Sequence, residues 1–248
     1  NQGDRVFGLI PGGGYAEYAC IDEKMAMPIP KELNFYQAAA IPEVFITANE
    51  SLIELGQLQK KQSVLIHAAG SGVGTACVQL AKQFDCQIFA TTGTSEKQEK
   101  LRQLGAHHVF NYHNDKFEQL ILELTQSDGV DVIEDFSGAD FFNRNLAALK
   151  QEGRLVMLAL MRGNKTEVDL TPILRKRLKI FGFTLRNQSL QQKQLFTERF
   201  KQNWLAKFAN QELNPIIDSI FPYNEIAKAH QYMEENCNFG KIVISLTD

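Results

Sequence analysis

Apolar and polar positions follow two different rhythms along this chain. Residues 4–30 hold short apolar runs separated by glycine and proline turns, which predicts short β-strands such as "DRVFGLI" and "YAEYACI". From Asn34 to Leu55 the apolar residues recur at helical spacing, with Asn34 as a candidate N-cap and Pro42 as an interruption. A β-rich opening segment is therefore followed by helix.

Between Ser63 and Leu185, short apolar runs alternate with amphipathic helical segments. The predicted strands are "SVLIHAA", "QIFATTG", "HVFNY", "GVDVIEDF", "GRLVMLAL" and "KIFGFTL". Strands that are apolar on both faces and separated by helices are typical of a parallel sheet covered on both sides. The sequence therefore predicts an α/β fold with a doubly wound parallel sheet.

An aromatic stripe marks the next helix, which the pattern predicts from about Gln191 to Asn210. Phenylalanine or tryptophan recurs there at every fourth position, at 196, 200, 204 and 208. This spacing places the rings on one face, and we interpret them as packing against the sheet rather than as a ligand-stacking surface. After Pro215 the pattern predicts a strand, a helix and a closing strand.

Composition and charge narrow the function classes. The chain is 44% hydrophobic and 22% charged with a net charge of −3, which favours a globular protein and gives no support for a nucleic-acid partner. The one basic cluster, "RKRLK", is interpreted as a solvated helix end. No apolar run approaches the roughly 18 residues that a membrane helix needs, so we expect no membrane partner and a cytoplasmic location. The four cysteines are far apart and predict neither disulfides nor a zinc cluster.

Three glycines, Gly70, Gly72 and Gly74, follow the first strand of the α/β region and open a helix. A glycine turn lets the backbone approach a ligand closely, and the N–H groups at a helix N-terminus favour an anion such as a pyrophosphate. The spacing is not G-x-G-x-x-G. The pattern alone therefore leaves a dinucleotide site and a purely structural turn both open.

The second strand of the region bears on which dinucleotide would bind. NAD sites usually carry an acidic residue at the tip of this strand, where it binds the ribose 2′-hydroxyl. Here the strand ends "ATTGTSEK", without an acid at the tip and with Lys97 in the following helix. That combination favours the 2′-phosphate of NADP. The alternative is that Lys97 is an ordinary solvated lysine.

Ordered motifs along the whole chain carry a family resemblance. They are "GDRVFGL" with "GGGYAEYA", "AAAIPEVFITA", "VLIHAAGSGVG", "GTSEK" before "LGAHHVFNY", "GRLV" and "NFGKIVISL". With them the sequence resembles the zinc-free quinone oxidoreductases of the medium-chain dehydrogenase/reductase superfamily, most of all the tumour-suppressor-inducible group. The resemblance implies a Rossmann NADP-binding domain at 46–213. It also implies the remnant of a GroES-like β-rich catalytic domain at 1–45, to which residues 214–248 return.

The resemblance also implies which residues bind NADPH. The pyrophosphate would lie on Ser71, Gly72, Val73 and Gly74, and the 2′-phosphate among Gly93, Thr94 and Lys97. Tyr112 would lie against the adenosine end, with packing alone as its alternative. The nicotinamide side would be formed by Thr47 and the backbone of Leu160, Met161, Phe183, Thr184 and Leu185. Ser137 and Gly138 would flank the cofactor, and Asn238 would reach it from the tail. Thr47 could instead cap or bond within its own helix.

Zinc is not expected, and no residue is assigned as a catalytic acid or base. The zinc-dependent relatives insert a four-cysteine lobe after "GDRV" and carry a cysteine ligand just before the position of Thr47, where this chain has "PEVFI". Without a Lewis acid, the chemistry expected is hydride delivery to an electrophilic small molecule, a quinone or a conjugated enone. His67, just before the glycines, is interpreted as structural.

Two further expectations follow from the resemblance. Relatives carry an additional segment ahead of "GDRV", so we expect this chain to bind NADPH but to reduce quinones slowly. The final strand "KIFGFTL" is expected to pair across a homodimer interface. The alternative functions are an enone, alkenal or enoyl reductase, and an NADPH-binding or RNA-binding protein without turnover.

Overall fold

The computed structural model describes residues 1–246; residues 247 and 248, which end the predicted C-terminal segment, lie outside the described residues. The strands are β1 Val6–Gly8, β2 Ala26–Pro28, β3 Ser63–Ile66, β4 Gln87–Thr92, β5 His108–Asn111, β6 Val130–Asp135, β7 Leu149–Met157, β8 Lys179–Gly182, β9 Ile217–Pro222 and β10 Lys241–Ser245. The α-helices are α1 Phe35–Ala39, α2 Pro42–Ala48, α3 Gly72–Gln83, α4 Ser95–Leu104, α5 Phe117–Leu124, α6 Ala139–Ala148, α7 Thr171–Lys176, α8 Leu190–Ala209 and α9 Ile226–Glu234. No helix among residues 1–246 is both long and apolar enough to cross a membrane.

The chain forms two compact units. The first contains Asn1–Thr47, Ser71–Ala76 and Leu185–Asp248, and the second contains Ala48–Gly70 and Cys77–Thr184. The sequence predicted one sheet domain at 46–213, whereas the structure includes residues 46–47, 71–76 and 185–213, and with them α8, in the first unit.

The aromatic stripe of α8 is buried at Phe200, Trp204 and Phe208. Within the first unit, the Phe208 ring lies 4.8 Å from that of Phe45. The stripe packs as predicted, but this contact lies within the first unit and is not the packing against the sheet that the sequence predicted.

The second unit is built on a six-stranded sheet in the order β5-β4-β3-β6-β7-β8, with every neighbouring pair parallel. The order reverses between β3 and β6, which is the Rossmann arrangement and confirms the predicted doubly wound sheet. Its central strands β3 and β6 are buried at every position. A ligand crevice is expected outside the carboxyl ends of the strands, at this reversal point.

The edge strand β8 is shorter than the predicted "KIFGFTL". It ends at Gly182, and the Phe183 N–H makes one more bond to the Met157 carbonyl at 3.0 Å before the chain leaves the sheet. Three of the four residues of β8 are exposed, in contrast to the central strands. Residues 183–185 therefore follow the strand rather than belonging to it.

The first unit holds two small sheets, β1 with β2 antiparallel and β9 with β10 parallel. The predicted strand "YAEYACI" is wrong, because residues 11–22 form neither helix nor strand. Its alternation does not reflect a buried face: Tyr15 and Tyr18 are both exposed, Tyr18 at 91%. Without a buried face and a pairing partner, the pattern does not produce a strand.

The helical run after Asn34 begins as predicted. Asn34 caps α1 in a reciprocal capping box with Gln37, and Pro42 is the first residue of α2. In the second unit the chain continues as a π-helix, Asn49–Leu55, in which the Gly56 N–H bonds to the Ser51 carbonyl at 2.7 Å. This uncommon register often marks functional sites.

Candidate cofactor site

The glycine turn of the first unit is held by its own serine. The Ser71 hydroxyl accepts the Gly74 N–H at 3.1 Å and so caps α3. A side chain on Gly72 would not fit, because its Cβ would lie 2.6 Å from Cδ of Lys241 and 2.9 Å from Cγ1 of Val44. The glycine therefore permits close packing behind the turn.

Asn238 supports this turn from the C-terminal segment. Its side-chain amide donates to the Gly240 carbonyl at 2.8 Å, and Gly240 forms a parallel bridge with Ser71. Gly240 has a positive φ of 93° and a Cβ there would lie 2.4 Å from the Ile216 carbonyl oxygen, so only glycine fits. The structure thus links Asn238 to the glycine turn through one residue.

Thr47 is 7% exposed, and its hydroxyl has no hydrogen-bond partner. The alternative that this hydroxyl bonds within its own helix is therefore wrong. An unpaired buried hydroxyl costs about 1–3 kcal/mol, so it needs an explanation such as a polar ligand.

In the second unit, the end of β3 carries backbone strain. Ala68 has a φ of +43°, in the left-handed region that disfavours residues with a side chain. Hydrogen bonds hold it on both sides, from the His67 N–H to the Glu134 carbonyl at 3.0 Å and from the Ala69 N–H to the Thr91 carbonyl at 3.1 Å. Non-glycine residues in such conformations cluster at ligand sites.

We expect Ala68→Gly to leave the free energy of unfolding unchanged or to raise it by up to about 1 kcal/mol, because glycine relieves the left-handed strain. The matched variant Ala69→Gly removes a buried methyl group without relieving strain and should lower it by about 1 kcal/mol. Urea denaturation of both variants checks this. Equal losses of the free energy of unfolding in Ala68→Gly and Ala69→Gly would contradict backbone strain at Ala68.

His67, the residue before Ala68, is fully buried. Its Nδ1 lies 2.8 Å from Oγ1 of Thr91 and its Nε2 lies 2.7 Å from Oδ1 of Asn145, while the rings of Phe117 and Phe141 meet it edge-on. Burial lowers the pKa of His67 to about 4. A neutral, doubly bonded and inaccessible imidazole fits the structural role predicted for it.

The tip of β4 brings together the residues predicted for the adenosine end. Thr94 caps α4 by accepting the Lys97 N–H at 3.3 Å. A Cβ on Gly93 would lie 2.5 Å from the Tyr112 hydroxyl, so the tyrosine lies directly against this turn. The alternative of a solvated Lys97 is wrong, because its exposure is only 6%.

The loops after β6 and β7 are bonded to each other and carry Ser137, Gly138, Leu160 and Met161. The Asp135 carboxylate accepts the Ser137 N–H at 2.8 Å and the Gly138 N–H at 3.2 Å. The Met161 N–H donates to the Phe136 carbonyl at 3.1 Å. Leu160 and Met161 are 50% and 76% exposed, so this paired loop presents apolar side chains to solvent.

Gly138 fixes the geometry of these loops. Its φ is +79°, and a Cβ there would lie 2.6 Å from the Gly163 carbonyl oxygen. Burial of Asp135 raises its pKa to about 6, against the opposing effect of the two N–H groups that it accepts. The carboxylate therefore orders the loop at neutral pH.

The three residues after β8 divide between the units. Phe183 and Thr184 belong to the second and Leu185 to the first; Phe183 and Leu185 are buried and Thr184 is exposed. Val73, in the glycine turn, belongs to the first unit together with Ser71, Gly72 and Gly74.

Two residues stand out that the sequence did not single out. Arg162 lies with its guanidinium 5.1 Å from the centre of the Tyr112 ring. Glu134, in β6, is fully buried with neither carboxylate oxygen hydrogen-bonded in good geometry. Burial raises its pKa, and the nearby Ser51 hydroxyl acts in the opposite direction. A charged residue inside a strand predicted as buried was the available signal for Glu134.

Comparisons with known proteins place these features in a family. The family model described as zinc-binding dehydrogenase matches residues 72–202. The chain is 32% identical to a quinone oxidoreductase of Pongo abelii, over 99% of this chain and 73% of that protein.

Two solved structures are also similar. A crystal structure of an NAD-dependent alcohol dehydrogenase matches with a TM-score of 0.84 at 30% identity, over 95% of this chain and 66% of that one. The JamJ enoyl reductase in its apo form matches with a TM-score of 0.80 at 31% identity, over 91% and 67%. The chain thus belongs to the zinc-binding dehydrogenase family, on the quinone oxidoreductase branch of the medium-chain dehydrogenase/reductase superfamily.

Proposed function

We propose that this chain belongs to an NADPH-dependent reductase that transfers hydride to a quinone. The observation that carries the choice of cofactor is Lys97, buried in the first turn of α4 beside a strand tip that has no carboxylate. A carboxylate at that tip would repel a 2′-phosphate, whereas a lysine held there attracts it. The choice of acceptor follows the quinone oxidoreductases that the chain resembles.

Both units offer groups that suit such a cofactor. In the first, the turn capped by Ser71 directs α3 N–H groups toward an anion, and the unpaired Thr47 hydroxyl suits the amide of a nicotinamide. In the second, the Gly93 turn and Tyr112 suit the adenosine end, and the loop ordered by Asp135 suits the flank of the dinucleotide. Each unit, taken by itself, therefore has groups that suit the part of NADPH predicted for it.

The chemistry proposed is positioning. When bound, NADPH would supply a hydride to an electrophilic quinone and leave as NADP+, and the reduced quinone would take its proton from solvent. The chain's residues bind and orient, which lowers a barrier by roughly 7 to 11 kcal/mol where the reacting atoms are well aligned. We assign no acid or base to the reaction. We assign no zinc ion either, because "PEVFI" carries no cysteine at the ligand position of the zinc-dependent relatives.

Steady-state oxidation of NADPH by an ortho-quinone tests the proposal, together with a binding titration. We expect saturable NADPH binding and quinone reduction that is faster with NADPH than with NADH. Binding without any quinone reduction would reject the activity of this chain, and absence of NADPH binding would reject the whole proposal.

A second candidate is an enoyl or enone reductase, which the likeness to the JamJ enoyl reductase and the 28% identity to a reducing polyketide synthase of Floropilus chiversii favour. The same hydride geometry serves a conjugated enone. Rates with α,β-unsaturated aldehydes and thioesters, measured beside the quinone rate, separate the two. A higher kcat/KM for the unsaturated thioester would favour this second function.

We also propose a homodimer formed along β8. This strand is an exposed sheet edge, and Ile180 on it and Leu174 on the preceding helix are 37% and 80% exposed. An unpaired edge of this kind is a site for pairing with a second copy. Sedimentation at equilibrium gives the mass of the assembly directly.

The cytoplasm is the proposed location. The cysteines, all among the described residues, are free thiols, and free thiols suit a reducing compartment.

A further inference from the structure

Arg162 occupies a defined place at the adenosine end of the second unit. Its backbone N–H donates to the Ser137 carbonyl at 2.8 Å, which fixes the base of the side chain on the paired loops. Its guanidinium lies 5.1 Å from the centre of the Tyr112 ring and 5.4 Å from that of Phe141. Two aromatic faces therefore hold the cation in one region.

Tyr112 connects Arg162 to the turn at the tip of β4. A Cβ on Gly93 would lie 2.5 Å from the tyrosine hydroxyl and 3.3 Å from His113 Nε2. Lys97 lies in the first turn of the helix that follows Gly93. One tyrosine ring therefore has the acid-free turn at its hydroxyl and a guanidinium over its face.

The existing ion pair of Arg162 is a weak competitor for an anion. Its Nε lies 3.4 Å from Oδ2 of Asp140, and the two side chains are 37% and 58% exposed. Exposed single pairs of this kind stabilise little. A phosphate offers a guanidinium two parallel charge-assisted hydrogen bonds, which are stronger than a single contact to an exposed carboxylate.

We propose that Arg162 is a specificity-determining residue that binds the adenosine 2′-phosphate together with Lys97, and that Asp140 holds it until the phosphate arrives. This inference rests on the proposed function, since it assumes a nicotinamide dinucleotide. It adds a residue from the loop after β7 to a site otherwise formed at the tips of β4 and β5. It also predicts that Asp140 and the phosphate compete for one guanidinium.

Isothermal titration of the full chain with NADPH and with NADH tests the inference. We expect Arg162→Ala to weaken NADPH about tenfold or more and NADH less than twofold, because only NADPH carries the 2′-phosphate. Arg162→Lys should restore part of the NADPH affinity through its charge. Asp140→Asn should tighten NADPH about two- to fivefold and leave NADH unchanged.

Arg177→Ala is the matched control, because Arg177 pairs with Glu152 in the same unit and has no predicted contact with the cofactor. It should change neither affinity. A thermal unfolding scan of each variant checks that the fold is intact.

The outcomes separate the two proposals. Equal weakening of NADPH and NADH by Arg162→Ala would show a merely structural arginine and overturn the inference. Unchanged NADPH affinity in that variant, beside a clear wild-type preference for NADPH, would overturn it while leaving the proposed function standing. A wild-type chain that binds neither cofactor would overturn both.

Discussion

Glu134→Leu is expected to remove most of the fall in the free energy of unfolding that the wild-type protein shows between pH 6.5 and 8. Burial raises the pKa of the Glu134 carboxyl to about 8, so the folded protein holds this proton at neutral pH. The unfolded chain releases it near pH 4.5. Between these values the folded state binds one more proton, and each pH unit removes about 1.4 kcal/mol of the free energy of unfolding.

Between pH 6.5 and 8, His67 and Asp135 contribute less than Glu134 to the change in the free energy of unfolding. Burial lowers the pKa of His67 to about 4, so His67 works in the opposite direction: the unfolded state takes its proton below about pH 6.5. Asp135, with its pKa raised to about 6, acts mainly below that pH. Above pH 6.5, of these three groups only Glu134 makes stability fall as pH rises.

Urea denaturation at pH 6.5, 7.25 and 8 measures the effect. Glu134→Leu and the nearly isosteric Glu134→Gln should both show a flat profile, while Glu123→Gln, at an exposed position of α5, should follow the wild type. Parallel profiles for wild type and Glu134→Gln would show that this carboxyl is not buried as described.

Lys97→Ala is expected to weaken NADPH binding about ten- to a hundredfold and NADH binding less than threefold. The reason is that a lysine at an acid-free strand tip interacts with the 2′-phosphate, which NADH lacks. Fluorescence titration with each cofactor measures the two affinities. The contact with the phosphate is measured by the difference between the losses of NADPH and NADH affinity, rather than by the loss of NADPH affinity alone.

Controls separate this effect from loss of packing, because Lys97 is 6% exposed. Lys97→Met retains most of the side-chain volume without the charge and should reproduce the selective loss. Lys100→Ala removes a half-buried lysine on the same helix, paired with Glu96 at 2.6 Å, and should change neither affinity. A Lys97→Ala protein that loses both cofactors equally would remove the 2′-phosphate assignment.

The sheet could be predicted because its signal is local. The β3 and β6 segments are apolar on both faces, and the helices between strands carry their own periodicity, so strand, helix and order follow from the chain itself. The glycine turn and the acid-free β4 tip were visible for the same reason. Asn34 and Pro42 likewise mark the helix starts through local backbone chemistry.

The features that sequence reasoning missed depend on distant residues. The position of Arg162 over the Tyr112 ring could not be predicted, because it depends on a contact between the loop after β7 and a residue fifty positions earlier in the chain. The charged residue Glu134 was visible within an apolar strand, but the poor hydrogen bonding of its carboxylate depends on what packs around it. The strand predicted at "YAEYACI" is wrong because its alternating apolar residues do not face a hydrophobic core.

Direct calorimetric titration of the wild-type chain with NADPH and NADH tests the central claim, that this chain binds NADPH through an acid-free strand tip. We predict one NADPH per chain, bound at least about tenfold more tightly than NADH, as expected for a charge-assisted contact to one phosphate. Equal affinity for the two cofactors, or no binding of either, would contradict the account.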